Sequence, residues 1–312
     1  VVTSATRGSS LLALTFLCGL FFHRNQREQP FLLNLVPGFS DTDGMKAGKG
    51  MDISLIVGLV TGFGGILAGY VLEGGSPAAL FGLSALVIIL GGTIGALITS
   101  FSIKEVLTVP RIMGDAMSPA NNPNAELAGQ IVDLSDKARK EGLLSLDDMV
   151  DDIEDPLFRK GIRMVVDGVD PDEIEKLLET DIAIYEFTKK EEAEIFAAMG
   201  GYMPTMGIIG TVTGLVLVLG NLGGADMARL GHSISAAFIA TLYGIGFANL
   251  FAMPISVKLK GKIKKEKLRM EMILTGVFAI HKGESPMLVK EKMLSYLEEE
   301  EQKLLEKGGG DE

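Results

Sequence analysis

Four stretches of this chain, residues 53–72, 76–103, 203–225 and 233–257, contain no Asp, Glu, Lys or Arg, while charge crowds into the segments between and after them. At about 1.5 Å rise per residue, a helix of roughly 20 residues crosses a hydrocarbon core of about 30 Å. Each stretch is long enough, and four such uncharged runs are hard to supply as buried helices of a water-soluble protein. The pattern therefore predicts four membrane helices. Between the second and third of them the period changes to that of half-buried helices: Leu127, Ile131, Leu134 and Ala138 recur at three- and four-residue spacing in a helix ending at Gly142. A second helix restarts there, with Ser145 placed as N-cap and Asp148 three residues on. A third opens with Asp170 as cap and Pro171 in its first turn, and runs on toward "AEIFAAMGGYMP". After the fourth span, Ser285 and Pro286 start another helix, and the tail "LEEEEQKLLEKGGGDE" reads as a solvated charged helix that frays at its glycines. No strand-period alternation of any length occurs. The fold class is thus all-α: a polytopic membrane protein with four transmembrane helices and a helical cytoplasmic domain.

Composition sharpens this picture. The 312 residues are 47% hydrophobic yet 22% charged, with a formal net charge of -11, so the two tendencies must be segregated along the chain. Positive residues near span ends set topology, and these crowd into "KLKGKIKKEKLR" at 258–269, whereas the stretch 221–232 offers only Arg229. The middle segment and both ends of the four-span unit are expected on the cytoplasmic side. Residues 51–103 then hold the first two spans, 104–202 the cytoplasmic domain, 203–257 the last two spans, and 258–312 charged C-terminal helices and tail. Residues 1–50 fit this scheme poorly. Their apolar run at 11–22 has the length of a signal-peptide core rather than a span, and Met45 and Met51 are both possible starts, so this extension is expected to be disordered or not part of the functional protein. Cys18, the only cysteine, lies there, which excludes a disulfide framework. His23, His232 and His281 lack the spacing of a metal site, no enzymatic constellation can be assembled, and no nucleic-acid partner is expected.

Small residues are arranged as faces. Gly58, Gly62, Gly65 and Gly69 form one stripe in the first span, Gly207, Gly210 and Gly214 another in the third, and Ser233, Ala237, Thr241, Gly244 and Ala248 a face in the fourth. In a bilayer such faces let helix backbones approach closely. Thr211 and Thr241 lie on or beside two of these faces. Their hydroxyls either bond back to their own helix carbonyls or line a passage. An ion pathway normally carries an intramembrane carboxylate, and none of the four spans has one. If the protein moves ions, another chain supplies it.

The segments "MDISLIVGLVTGFGGILAGY", "ARKEGLLSLDDM", "MPTMGIIGTVTGLV" and "ATLYGIGFANLFAMPI" together resemble the MotA/PomA family of bacterial flagellar stator subunits, from Met51 to about Arg269. The resemblance implies a homopentamer around two helices of a MotB/PomB-type partner whose aspartate carries the ion. Ion flow, of sodium or protons, would turn the ring and push the rotor protein FliG. It also implies conformational coupling at Pro204 and Pro254, and rotor contact by Arg139, Lys140, Asp147 and Asp148; by charge pattern alone those four read as an ordinary solvated face. Where the family can have a further acidic residue, this chain has Val150. Sodium-driven members resemble this chain in having threonine at the positions of Thr211 and Thr241, which favours sodium, since hydroxyl and carbonyl oxygens suit a hard cation that has shed water. No cofactor or enzymatic activity is implied. The alternatives are an ExbB/TolQ-like energiser that transmits ion-motive force to an envelope protein, and a passive helical membrane scaffold.

Overall fold

A computed structural model of the chain describes residues 53–118, 124–220 and 227–308. The N-terminal extension, with Cys18 and His23, and residues 221–226 lie outside them. The described residues are helical without any strand, and four helices are long and apolar enough to cross a membrane. The first span is α1 (Ile53–Leu72) and the second α2 (Leu83–Ser100), joined through a 3₁₀ turn at Pro77–Leu80. Two short helices follow, α3 (Ile103–Leu107) and α4 (Val109–Met117); Ser102 and Glu105 form a reciprocal capping box at the start of α3, so the chain leaves the second span with its first backbone donors satisfied.

Beyond them stand α5 (Asn124–Glu141), a 3₁₀ turn at Leu143–Leu146, α6 (Asp147–Val150) and α7 (Pro156–Val166). The third span is the apolar end of α8 (Pro171–Gly220), a single helix of 50 residues whose charged half extends far beyond any bilayer. Pro204 sits inside it without ending it. The fourth span is α9 (Met227–Phe247), which passes through a π-helical turn at Ala248–Ala252 into α10 (Met253–His281). The N–H of Met253 reaches back five residues to the carbonyl of Ala248, and Pro254, which has no N–H, sits in the first turn that follows. Helices α11 (Pro286–Leu294) and α12 (Glu299–Gly308) close the chain, and Ser285 accepts from the N–H of Leu288 to cap α11.

The charged half of the molecule has its own apolar core. Ile131 and Leu134 of α5, Phe158 and Ile162 of α7, Leu178 of α8 and Ile273 and Val277 of α10 are all buried there. Close approach is enforced at two glycines: a Cβ on Gly161 would stand 2.7 Å from the Val277 side chain, and one on Gly276 2.6 Å from Ile131. Gly142, which ends α5, has φ of +90°, a conformation glycine adopts without steric cost. Asp155 caps α7 by accepting from the N–H of Phe158, and its other oxygen meets Arg269 of α10 at 2.6 Å. With side-chain exposures of 8% and 17%, this pair is mostly out of water.

Two local expectations are corrected. Ser145 caps nothing: its hydroxyl donates to the carbonyl of Gly142 within the 3₁₀ turn, and the residue that does cap the next long helix is Asp155. The tail is not merely solvated, because Leu305 packs over Gly129 of α5 and Gln302 donates to the carbonyls of Leu294 and Leu297. One apolar side chain and one bifurcated amide suffice to dock a helix whose remaining face is charged.

Three polar ties join α10 to its neighbours near the membrane edge. Ser256 donates to the buried carbonyl of Ala193 at 2.9 Å. Lys262 reaches the carbonyls of Asp115 and Ala116 at 2.6 and 3.2 Å and that of Ser118, so it caps the C-terminus of α4. Glu186 on α8 pairs with Lys190 and Lys267, whose hydrogen bonds hold its carboxyl down to about 2.

Asp155 both caps α7 and pairs with Arg269, which keeps Glu266 at 3.0 Å as a second partner, so Asp155→Ala removes the cap and half of this ion-pair cluster and should destabilise the charged half by roughly 1–3 kcal/mol, read as a lower melting temperature in detergent. Because the Glu186 carboxyl is depressed, its contribution is present above the usual carboxylate range and is lost only as pH falls toward about 2. The melting-temperature difference between Glu186→Gln and the parent chain should therefore be the same at pH 7.5 and pH 5.5.

Candidate functional site

Two backbones approach closely in the membrane half, at the seam between α8 and α9. A Cβ on Gly207 would stand 2.9 Å from the carbonyl oxygen of Ala240, and one on Gly244 would stand 2.6 Å from that of Met203 and 3.0 Å from the Cα of Gly207. Gly210 and Gly214 meet the methyl groups of Ala240 and Ala237, each at 2.7 Å. Any larger residue on the α8 face or at Gly244 forces the two backbones apart. Gly207, Gly210 and Gly214 thus lie together on one seam with Ala237, Ala240 and Gly244.

The first span is different. Gly62 approaches Leu250, and Phe63 packs against Phe247 with ring centroids 5.9 Å apart, but no described residue stands within 4 Å of a Cβ on Gly58, Gly65 or Gly69. Most of the α1 stripe is unoccupied by any described helix of the same chain.

The seam places both threonines together. Thr211 and Thr241 hydroxyl oxygens are in direct hydrogen-bond contact. Thr211 Oγ1 also lies 3.1 Å from the carbonyl of Gly207 on its own helix and 3.0 Å from that of Ala237 across the seam. With one proton to give, the Thr211 hydroxyl serves one carbonyl at a time, so four oxygens converge on a point where two backbones cannot separate. Thr211 thus bonds back to its own helix and also bridges to the neighbouring one. Thr213, two residues on, bonds only into its own helix, at Ile209 and Gly210.

The four charged residues of the middle segment share the end of α5 and the turn after it. Arg139, Lys140, Asp147 and Asp148 are all exposed, with Lys140 held to Asp136 at 2.6 Å and Leu144 standing 77% exposed between the basic and acidic pairs. Val150 is buried at 1% exposure, part of the core under this turn, so an acidic side chain could not occupy its place without being desolvated. The next acid, Asp151, is engaged by Arg163 at 3.0 Å.

Pro204 and Pro254 lie on adjoining helices where the spans leave the membrane. Near them Gly200 meets Met253, whose sulfur would be 2.5 Å from an added Cβ. Each proline withholds a backbone donor, and the π-helical turn before Pro254 leaves the hydrogen-bond ladder already interrupted there.

Tyr243 was not singled out by spacing. Its hydroxyl donates to the carbonyl of Leu80 at 2.6 Å and accepts from the N–H of Gly82, pinning the turn between the first two spans against α9. The available signal was chemical: a tyrosine in an otherwise apolar span needs a partner for its hydroxyl.

Comparisons with known proteins agree with this architecture. Residues 149–272 match the MotA/TolQ/ExbB proton channel family, and residues 56–142 match the Motility protein A N-terminal family. Motility protein A of Borreliella burgdorferi is 35% identical over 247 residues, 79% of this chain and 94% of that protein. Chemotaxis protein PomA of Vibrio alginolyticus is 34% identical over 250 residues, 80% of this chain and 96% of that one. Among solved structures, the flagellar MotAB stator complex from Bacillus subtilis superposes with a TM-score of 0.75 at 32% identity, covering 80% of this chain and 98% of the other. Four membrane-spanning helices, a helical charged domain and these relatives together show that the chain belongs to the MotA/TolQ/ExbB proton channel family, as a multi-pass flagellar stator subunit of the MotA/PomA type and not an enzyme.

Proposed function

We propose that this chain forms a homopentameric ring around two helices of a MotB/PomB-type partner and, with it, couples inward flow of sodium to rotation. The observation that carries the sodium reading is the Thr211–Thr241 cluster on the α8–α9 seam. A hydroxyl that donates its proton to a carbonyl keeps lone pairs for a hard cation, and alanine there would offer none. The spans hold no carboxylate of their own, which fits a partner that contributes one.

In this reading the lysine-rich stretch 258–269 and the charged domain lie on the cytoplasmic side of the inner membrane, with both ends of the four-span unit. Arg139, Lys140, Asp147 and Asp148 engage FliG, since they form an exposed patch of both signs held on a rigid core. Movement of the third and fourth spans reaches that patch along α8 and α10, which run without a loop from the membrane into the domain. Pro204 and Pro254, at the level where the spans emerge, give the helices a place to bend.

The test is rotation of tethered stator-null cells that carry this chain with a MotB/PomB-type partner, scanned over sodium at fixed pH. Speed should rise with sodium and saturate. Thr211→Ala and Thr241→Ala should each raise the sodium concentration for half-maximal speed several-fold, and Thr→Ser should not; undiminished speed of both alanine variants at every sodium concentration would overturn the sodium reading. Reversing the exposed charges, as in Arg139→Glu or Asp147→Lys, should cut torque at least about tenfold while membrane assembly persists, whereas unchanged torque in both would return this patch to a solvated face.

A further inference from the structure

Where α8 and α10 leave the membrane they do not close on each other completely. Glu186, Lys190 and Glu194 follow at four-residue spacing on α8, and Lys260, Lys264 and Lys267 face them from α10 around a cavity of about 350 Å³. Four lysines against two glutamates in the lining, with Glu271 3.8 Å from Lys267 behind it, leave a local excess of one positive charge. Both glutamates are already engaged: Glu186 with Lys190 at 2.5 Å and Lys267 at 2.8 Å, Glu194 with Lys260 at 3.3 Å. Lys264 has no ion-pair or hydrogen-bond partner among the described residues. A concave site with this surplus attracts anions, and an ammonium without a counter-ion is a ready donor to phosphate oxygens.

Depth identifies the anion. Lys258 donates to Ser54 Oγ at 3.1 Å, beside the first residue of the first span, so the edge of the hydrocarbon passes near both. At about 1.5 Å per residue, Lys260 lies about 3 Å and Lys264 about 9 Å farther along α10. The headgroup layer of a leaflet is about 5–7 Å thick. Side chains on a helix tilt toward its N-terminus, which for α10 is the membrane end, so these lysines lean back into that layer. Above them on the same face stands Val257, 67% exposed, at the right height for an acyl chain.

We propose that this groove binds the headgroup of an anionic phospholipid, with phosphate between Lys260 and Lys264 and the acyl chain along Val257. Lipid seated there bridges α8 and α10 where both leave the membrane, and so stiffens the path between span and charged domain.

The experiment uses the full chain extracted in mild detergent, with bound lipid counted by native mass spectrometry after incubation with vesicles of phosphatidylcholine containing 10% cardiolipin. Cardiolipin should be retained and phosphatidylcholine should not. Lys264→Gln and Lys260→Gln should each lower cardiolipin occupancy about fivefold or more, Lys264→Arg should keep it, and Lys303→Gln on α12 should leave it unchanged. Equal occupancy in the parent chain and Lys264→Gln overturns the site. Full displacement of the lipid by millimolar inorganic pyrophosphate shows that the groove takes soluble phosphate and overturns the lipid assignment. A Lys264→Gln chain that assembles into smaller oligomers with lipid binding unchanged shows that a neighbouring copy covers the groove, which also overturns it.

Discussion

The structure depends on how closely two backbones approach inside the membrane. At Gly207 and Gly244, α8 and α9 come so near that a single added carbon would sit 2.6 to 2.9 Å from a carbonyl oxygen of the opposite helix. Water cannot drive helices together in a bilayer, so this van der Waals seam, and the hydrogen bonds it admits, must do so. Thr211 and Thr241 touch only because the glycines remove the side chains that would hold them apart. The same seam aligns the start of α10 beside α8, and from there the core of the charged domain is assembled on two helices already fixed in the membrane.

That arrangement separates two tasks along the same pair of rods. The membrane half offers oxygen atoms but no charge, which in the proposed function form the wall along which an ion carried by another chain passes. The outer half offers charges of both signs on a surface held rigid by Phe158, Ile162 and Ile273. Between them lie the irregularities: Pro204, the π-helical turn, Pro254 and the groove between Glu186 and Lys264. Rods that are stiff at both ends and interrupted in the middle transmit displacement while allowing a change of angle. The Asp155–Arg269 pair matters here because it ties the cap of α7 to α10, beside the turn that bears Asp147 and Asp148.

Much of this was legible in the sequence because membranes impose a coarse and unforgiving pattern. Four uncharged runs located the spans, and Gly142, Pro171, Ser285 and Pro286 marked helix boundaries to the residue. Four features were not legible. Ser145 had the look of a cap, but the 3₁₀ turn lets its hydroxyl return to Gly142, and a capping motif cannot show whether a serine will accept from an N–H ahead of it or donate to a carbonyl behind it. The docking of α12 rests on Leu305 and Gln302, two residues in a sequence dominated by glutamate, too few to register as a periodic face. For the candidate site, spacing put each threonine on a small-residue face, but it could not bring Thr211 and Thr241 into contact, since register between helices is decided by side-chain shape across the seam. Lys264 was one of many lysines until the structure showed which of them had carboxylates.

The central claim is that this chain supplies the walls of an ion path and another chain supplies its charge. It is tested most directly by measuring sodium-dependent rotation in a stator-null host that expresses this chain with a MotB/PomB-type partner, once with the partner's membrane-embedded carboxylate intact and once with it converted to the amide. The account predicts rotation that rises with sodium in the first case and none at any sodium concentration in the second. Rotation that survives the amide would contradict it, because the ion would then be carried by this chain alone.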